Sequence, residues 1–185
     1  MSLPFGLLGL LEYSSYTGYD LAKVFEESIN LFWHAQSSQI YRELHRMEEK
    51  GWITAESIIQ EGKPNKRLYT ITDKGRSVFV EWLNTPGPLF ENAHVPLLMY
   101  TMFGASAPEA TLERMKMVRD GITANLEGRA KQVEKTIEKF KAIAPNSEER
   151  SVYWQMTHEY GLAQAKAALQ WAHECIEKLE AKINV

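Results

Sequence analysis

The chain has 185 residues, 44% of them hydrophobic and 24% charged, enough for one domain with a large core or for two small ones. Its net charge is −3, made up of −2 through Thr85 (nine basic and eleven acidic residues) and −1 beyond (twelve and thirteen), so bulk charge does not favour nucleic acid and only a local basic cluster can bind it. The single cysteine, Cys175, excludes an internal disulfide and reads as an inert thiol. No run approaches the roughly 18 apolar residues a bilayer crossing needs, so no membrane association is expected and the reducing cytoplasm is the expected compartment.

The opening stretch MSLPFGLLGLLEYSSYTG is apolar but lacks a basic start, and it reads as a helix rather than a signal peptide. Pro4 suits the first turn of a helix running through Leu11. In TGYD, Thr17 is the expected N-cap of a second helix, with Asp20 at its third position; Leu21, Val24, Phe25 and Ile29 continue an apolar face. SSQIYRELHRMEEKGWI reads as a third helix with Ile40, Leu44 and Met47 on one stripe. Ser37 or Ser38 is its expected cap, and Gly51 stops it where a left-handed residue is needed. ITAESII and RLYTIT are β-prone runs around a loop, EGKPN. Thr72 is expected to cap a fourth helix from Asp73 to about Leu83, with Val78, Phe79, Trp82 and Leu83 inward. These helices with a hairpin predict a winged helix-turn-helix; the alternative is a generic α+β domain.

TPGPLF breaks the chain and divides it into a winged-helix DNA-binding domain, 1–85, and an α-helical domain, 86–185, expected to serve dimerisation and possibly an effector. Beyond the break one helix is expected over roughly Glu91 to Phe103. A second runs from Pro108 to about Ala144, with Met115, Val118, Ile122, Leu126, Val133, Ile137 and Phe140 on one stripe. Pro145 and Asn146 end it. The last helix runs from about Glu148 to Ile183 and carries Val152, Met156, Tyr160, Ala163, Ala167, Trp171 and Ile176. Helices of this length span ~50 Å and need a partner for their stripes. An antiparallel pair docked on the same pair of a second chain is expected; the alternative is a hairpin folded back on its own N-terminal domain. The fold class is therefore mainly α with a small β-hairpin.

The third helix divides its side chains as a recognition helix must. Ser38, Gln39, Arg42, His45 and Arg46 lie opposite the apolar stripe, with Tyr41 at the border. Gln suits adenine, and Arg suits guanine or phosphate. A solvated amphipathic face is the plainer alternative, and Glu43, Glu48 and Glu49 argue against DNA at the C-terminal end; Glu48 and Glu49 must lie clear of phosphates. GKPNKR gathers Lys63, Lys66 and Arg67, with Pro64 and Asn65, at a hairpin tip, as a phosphate-contacting wing requires. No phosphate loop, nucleophile elbow or metalloprotease motif is present. His34, His45, His94, His158 and His173 do not pair at ligand spacing, so neither enzyme, cofactor nor metal is expected. Aromatics including Phe32, Trp33, Trp82, Phe90, Tyr100, Phe103, Tyr153, Trp154, Tyr160 and Trp171 suit a core and dimer interface, and leave open a flat pocket for an aromatic ligand.

The pieces LGLL, TGYDL, IYREL, LHRMEEKGWI and KRLYTITDKGR together resemble the PadR-type transcriptional regulators over about Leu3 to Leu83. YWQMTHEYGLAQAKAALQWAHECIEKL is similar to the virulence-activator-type α-helical C-terminal domain. The resemblance implies a homodimeric repressor or activator, dimerised by its C-terminal helices, in a prokaryotic cytoplasm. It implies DNA contact through Ser37, Ser38, Gln39, Tyr41 and Arg42, with Arg46 in support, on a recognition helix 37–50. A wing 60–68 would add Lys63, Pro64, Asn65, Lys66 and Arg67. Many relatives answer phenolic acids or cationic drugs, so a small aromatic effector is a further implication. The expectation is a sequence-specific regulator on a twofold DNA operator. The alternative is a winged-helix protein–protein interaction module that has lost DNA binding.

Overall fold

The computed structural model describes residues 3–59, 65–85 and 95–183. Helix α1 (Leu3–Leu11) has Pro4 in its first turn and buries Leu7, Leu8, Leu10 and Leu11 at the centre of the N-terminal core. A two-residue strand, β1 (Tyr16–Thr17), follows; it is too short to leave an alternating pattern in the sequence and was not expected. Thr17 then caps α2 (Gly18–Glu27) as expected. Its hydroxyl oxygen accepts from the Asp20 backbone N–H at 3.2 Å and its proton goes to the Asp20 carboxylate at 2.6 Å. Leu21, Val24 and Phe25 face inward, and a single 3-10 turn, Ile29–Leu31, leads onward.

Helix α3 (Ser37–Glu49) buries Ile40, Leu44 and Met47 as the periodicity predicts. Its N-cap is Gln36, not Ser37 or Ser38, which lie within the first turn. The reason is Gln39: its amide oxygen accepts from the Gln36 backbone N–H at 2.8 Å, which fixes the start at Gln36. At the other end Gly51 has φ +70°. Its N–H donates to the Glu48 carbonyl and that of Trp52 to the Met47 carbonyl, both at 2.9 Å, a paired C-cap that closes the helix.

Strands β2 (Ile53–Ile58) and β3 (Lys66–Ile71) pair antiparallel from Ile53↔Ile71 to Ile58↔Lys66, and β1 joins the other edge of β3 through Tyr16↔Tyr69, giving the order β1-β3-β2. Helix α4 (Asp73–Asn84) is capped by Thr72, whose hydroxyl accepts from the Gly75 N–H at 3.1 Å. That hydroxyl shares its proton between the carbonyls of Gly51 (2.8 Å) and Trp52 (3.0 Å), so α4 is bolted to the end of α3. Of the four residues expected inward, Val78 and Phe79 are partly buried, and Trp82 stacks on Phe5 at 4.6 Å. Leu83 is 61% exposed instead. Phe79 sits against Gly9 and Trp82 against Phe5, so the last turn of α4 runs off the start of α1.

The expected helix over Glu91 to Phe103 is described only from 95 on, where it forms α5 (Pro96–Met102). Helices α6 (Pro108–Ile143) and α7 (Ser147–Ile183) have 36 and 37 residues and meet at Asn146, which has φ 52°. The chain forms two compact units that do not follow sequence order. The first takes the described residues through Thr85 together with Val133–Trp154. In it Phe140 packs on Tyr13 (5.1 Å) and Trp154 (5.5 Å), the Trp154 indole N–H donates to the Tyr13 hydroxyl at 2.9 Å, and Lys139 pairs with Glu27 at 3.3 Å. The second unit, residues 95–132 and 155–183, buries Met115, Ala172 and Ile176; Arg114 lies over the Tyr100 ring at 4.4 Å. Among the described residues no helix is long and apolar enough to cross a membrane.

Two glycines separate crowding from backbone conformation. A Cβ on Gly75 would lie 2.1 Å from the Trp52 carbonyl oxygen, whereas one on Gly51 would meet nothing within 4 Å and only the positive φ would oppose it. In denaturant unfolding, Gly75→Ala should cost at least about 3 kcal/mol and Gly51→Ala about 1 kcal/mol.

Candidate nucleic-acid interface

The recognition surface is built outward from its anchor. Ile40, Leu44 and Met47 are at most 2% exposed, so rotating α3 about its axis would expose three large side chains. Burial of each contributes about 1.5–3 kcal/mol, which fixes the face α3 presents. That face carries Ser37, Ser38, Gln39, Tyr41, Arg42, His45 and Arg46, all exposed. Tyr41 sits at the border, 46% exposed, because its ring lies against the first turn of α2. A Cβ on Gly18 would be 2.6 Å from the Tyr41 ring, so glycine there is what lets the two helices approach.

The ordered side chains are partly engaged with one another. The Gln39 amide oxygen serves the α3 N-terminus, leaving its NH₂ group outward. Arg42 donates its Nε–H to the Ser38 carbonyl at 3.3 Å. Arg46 pairs with Glu43 at 3.4 Å and His45 with Glu49 at 3.7 Å. Across the domain, Arg67 Nη2 meets Glu48 Oε1 at 2.6 Å and its guanidinium lies 5.6 Å from the Tyr69 ring centre. Burial raises the Tyr69 hydroxyl above its ordinary pKa, with Arg67 opposing that rise, so it stays a neutral phenol backing the pair. The start of β3 is thus tied to the C-terminal half of α3. Asn65, Lys66 and Arg67 are exposed there, while Lys63 and Pro64 lie outside the described residues. Among the described residues, Arg42 and Lys66 have no carboxylate within ion-pair distance, and no three His, Cys, Asp or Glu side chains gather as a metal site.

Two features escaped the sequence reading. The Arg67–Glu48 pair joins residues 19 apart, and no local pattern reveals it. Tyr19, exposed on the first turn of α2 next to the Gly18–Tyr41 contact, was signalled only by its place two residues after the Thr17 cap.

Fold and surface together define a winged helix-turn-helix followed by long C-terminal helices. The model of the PadR-like family of transcriptional regulators matches residues 7–81, and that of the virulence activator α C-terminal region matches 116–180. The chain belongs to the PadR-like family, whose members are regulators and not enzymes. A probable transcriptional regulator of Mycobacterium tuberculosis is 41% identical over 86 residues, 46% of each chain. The negative transcriptional regulator PadR of Bacillus subtilis is 36% identical over 101 residues, 55% of this chain and 56% of that one. These alignments thus span about half the length of the curated relatives. The crystal structure of B. subtilis PadR with operator DNA superposes with a TM-score of 0.77 at 24% identity, over 97% of this chain and 99% of that one. The Vibrio cholerae virulence activator AphA superposes with a TM-score of 0.71 at 26% identity, over 98% and 99%. B. subtilis PadR has also been solved with p-coumaric acid.

The dual duty of Gln39 is separable. Gln39→Glu keeps an oxygen for the Gln36 N–H, while Gln39→Ala removes it at a cost of about 0.5–1 kcal/mol. Hydrogen exchange at the Gln36 amide should therefore quicken in Gln39→Ala and stay near wild type in Gln39→Glu.

Proposed function

We propose that the chain is a sequence-specific transcriptional regulator, a repressor, that binds a twofold operator as a homodimer through recognition helix 37–50 and wing 60–68. The observation that carries this reading is the division of α3: a fully buried stripe on one side, and Gln39, Arg42 and Arg46 exposed on the other, with Lys66 and Arg67 entering from β3 beside its C-terminal half. Base edges would be read by Ser37, Ser38, Gln39 and Arg42, and phosphates taken by Tyr41, Arg46 and the wing residues Lys63, Pro64, Asn65, Lys66 and Arg67. Supporting a repressor is the relative named a negative transcriptional regulator. A cytoplasmic location accords with the lone cysteine.

The dimer reading rests on uncovered apolar surface. On α7, Val152, Met156 and Tyr160 recur every four residues and are all more than half exposed; on and after α5, Leu98, Met99, Tyr100, Met102 and Phe103 are as well. That is more apolar surface than a monomer ordinarily leaves wet. The same aromatic and Met side chains support a small aromatic effector, the class to which the p-coumaric acid bound by B. subtilis PadR belongs.

Gel shifts and light scattering test these parts. Arg42→Ala with Lys66→Ala should lower affinity for the duplex upstream of the chain's own gene and flatten the log K against log salt plot by about 1.8. Unchanged affinity and slope would favour a protein-binding winged helix. Scattering should give twice the 21.2 kDa chain mass, and Met156→Glu with Tyr160→Glu should shift it toward that of one chain.

A further inference from the structure

We propose that Glu48 is a specificity-determining residue: it holds the wing's Arg67 in an intramolecular ion pair, so that loose, sequence-independent complexes with DNA lack that cation. The inference rests on the DNA-binding reading above and adds a role for an acidic residue within the interface.

The geometry gives the pair a different status from its neighbours. Arg46–Glu43 and His45–Glu49 lie within one helix at 3.4 and 3.7 Å. Arg67–Glu48 bridges two elements at 2.6 Å, with the Glu48 side chain 28% exposed and the guanidinium within cation–π range of Tyr69. Such a short contact is a charge-assisted hydrogen bond. Arg67 leaves it only for another anion held at comparable distance. A docked domain offers this: base contacts fix α3 in the groove, and the wing then meets one phosphate at a set place. A sliding or hopping domain is held at longer range and does not, and there the Glu48 carboxylate also repels phosphate. Phosphate contacts supply nearly all sequence-independent affinity, so sequestering one cation weakens those complexes more than the docked one.

Glu48→Gln keeps shape and removes the charge. Glu56→Gln, an exposed position on β2, removes the same charge away from the pair. Titrations of the full chain against a random-sequence duplex and against its own upstream duplex, over a salt series, decide the matter. For the random duplex, Glu48→Gln should tighten binding about five- to tenfold at 0.1 M salt and steepen the salt slope by about 0.9, one extra phosphate. The upstream duplex should gain less, so discrimination falls. Glu56→Gln should leave the slope unchanged, and in an Arg67→Ala background Glu48→Gln should do nothing to it. The proposal is overturned if Glu48→Gln matches Glu56→Gln, or if its effect survives in Arg67→Ala. Wild-type protein that binds neither duplex at low salt would sink the functional reading and this inference together. Wild-type binding with an unmoved slope in Glu48→Gln sinks the inference alone.

Discussion

The carbonyl of Trp52 is where the recognition helix, the sheet and α4 are joined. It accepts from the Thr72 N–H at 3.0 Å and shares the Thr72 hydroxyl proton at 3.0 Å, while Gly75 comes so close that a Cβ there would overlap it. One residue earlier, Gly51 turns the chain out of α3 with a positive φ. Trp52 itself packs its ring near Phe5 of α1 and beneath the Lys50 ammonium. The angle between α3 and the hairpin is therefore set by backbone hydrogen bonds and close packing in a half-buried corner. Surface side chains can then vary without moving helix and wing apart.

That dependence explains what was readable from the sequence. Thr17, Gly51 and Thr72 act through partners one to four residues away, so their chemistry is written locally, and the stripe Ile40, Leu44, Met47 is one period of a helix. The limits of α6 and α7 follow from Pro108 and from Pro145–Asn146 for the same reason. Competition between neighbours was harder to read. Two serines looked like the better caps of α3, but Gln39 placed an acceptor on Gln36 and shifted the start. The exposure of Leu83 depends on where α1 begins, and β1 exists only because β3 offers it an edge. The candidate site divides similarly: exposure of Gln39, Arg42 and Arg46 was legible from angular position, whereas the engagement of Arg67 with Glu48 was not.

Charge has to be judged by pairing and not by total. Residues through Thr85 carry −2, yet three of the acids on α3 each hold a base: Glu43 with Arg46, Glu48 with Arg67 and Glu49 with His45. Exposed pairs of this kind are worth about 0–1 kcal/mol to folding, too little to explain the fold. Their larger consequence is for the field seen from outside, since a paired charge acts as a dipole and decays faster with distance than a lone one. Arg42 and Lys66, without such partners among the described residues, then dominate the local potential despite the negative sum.

The DNA-facing unit is also not closed off from the C-terminal helices, because the corner where α6 meets α7 is part of its core. Phe140 is buried against Tyr13, and Trp154 donates to the Tyr13 hydroxyl. Next to Tyr13, Glu12 is shared by Arg76 of α4 at 2.5 Å and Arg150 of α7 at 3.8 Å. Glu12 follows directly on α1, whose Phe5 stacks against Trp82 and lies near Trp52. A shift of the α6–α7 corner must therefore give up the Tyr13 and Glu12 contacts or carry the end of α1 with it. Because α1 packs on both α3 and α4, the second outcome reaches the Trp52 corner that sets the angle of the recognition helix. Close packing makes such movement discrete rather than gradual, which is the property a ligand-controlled binder needs.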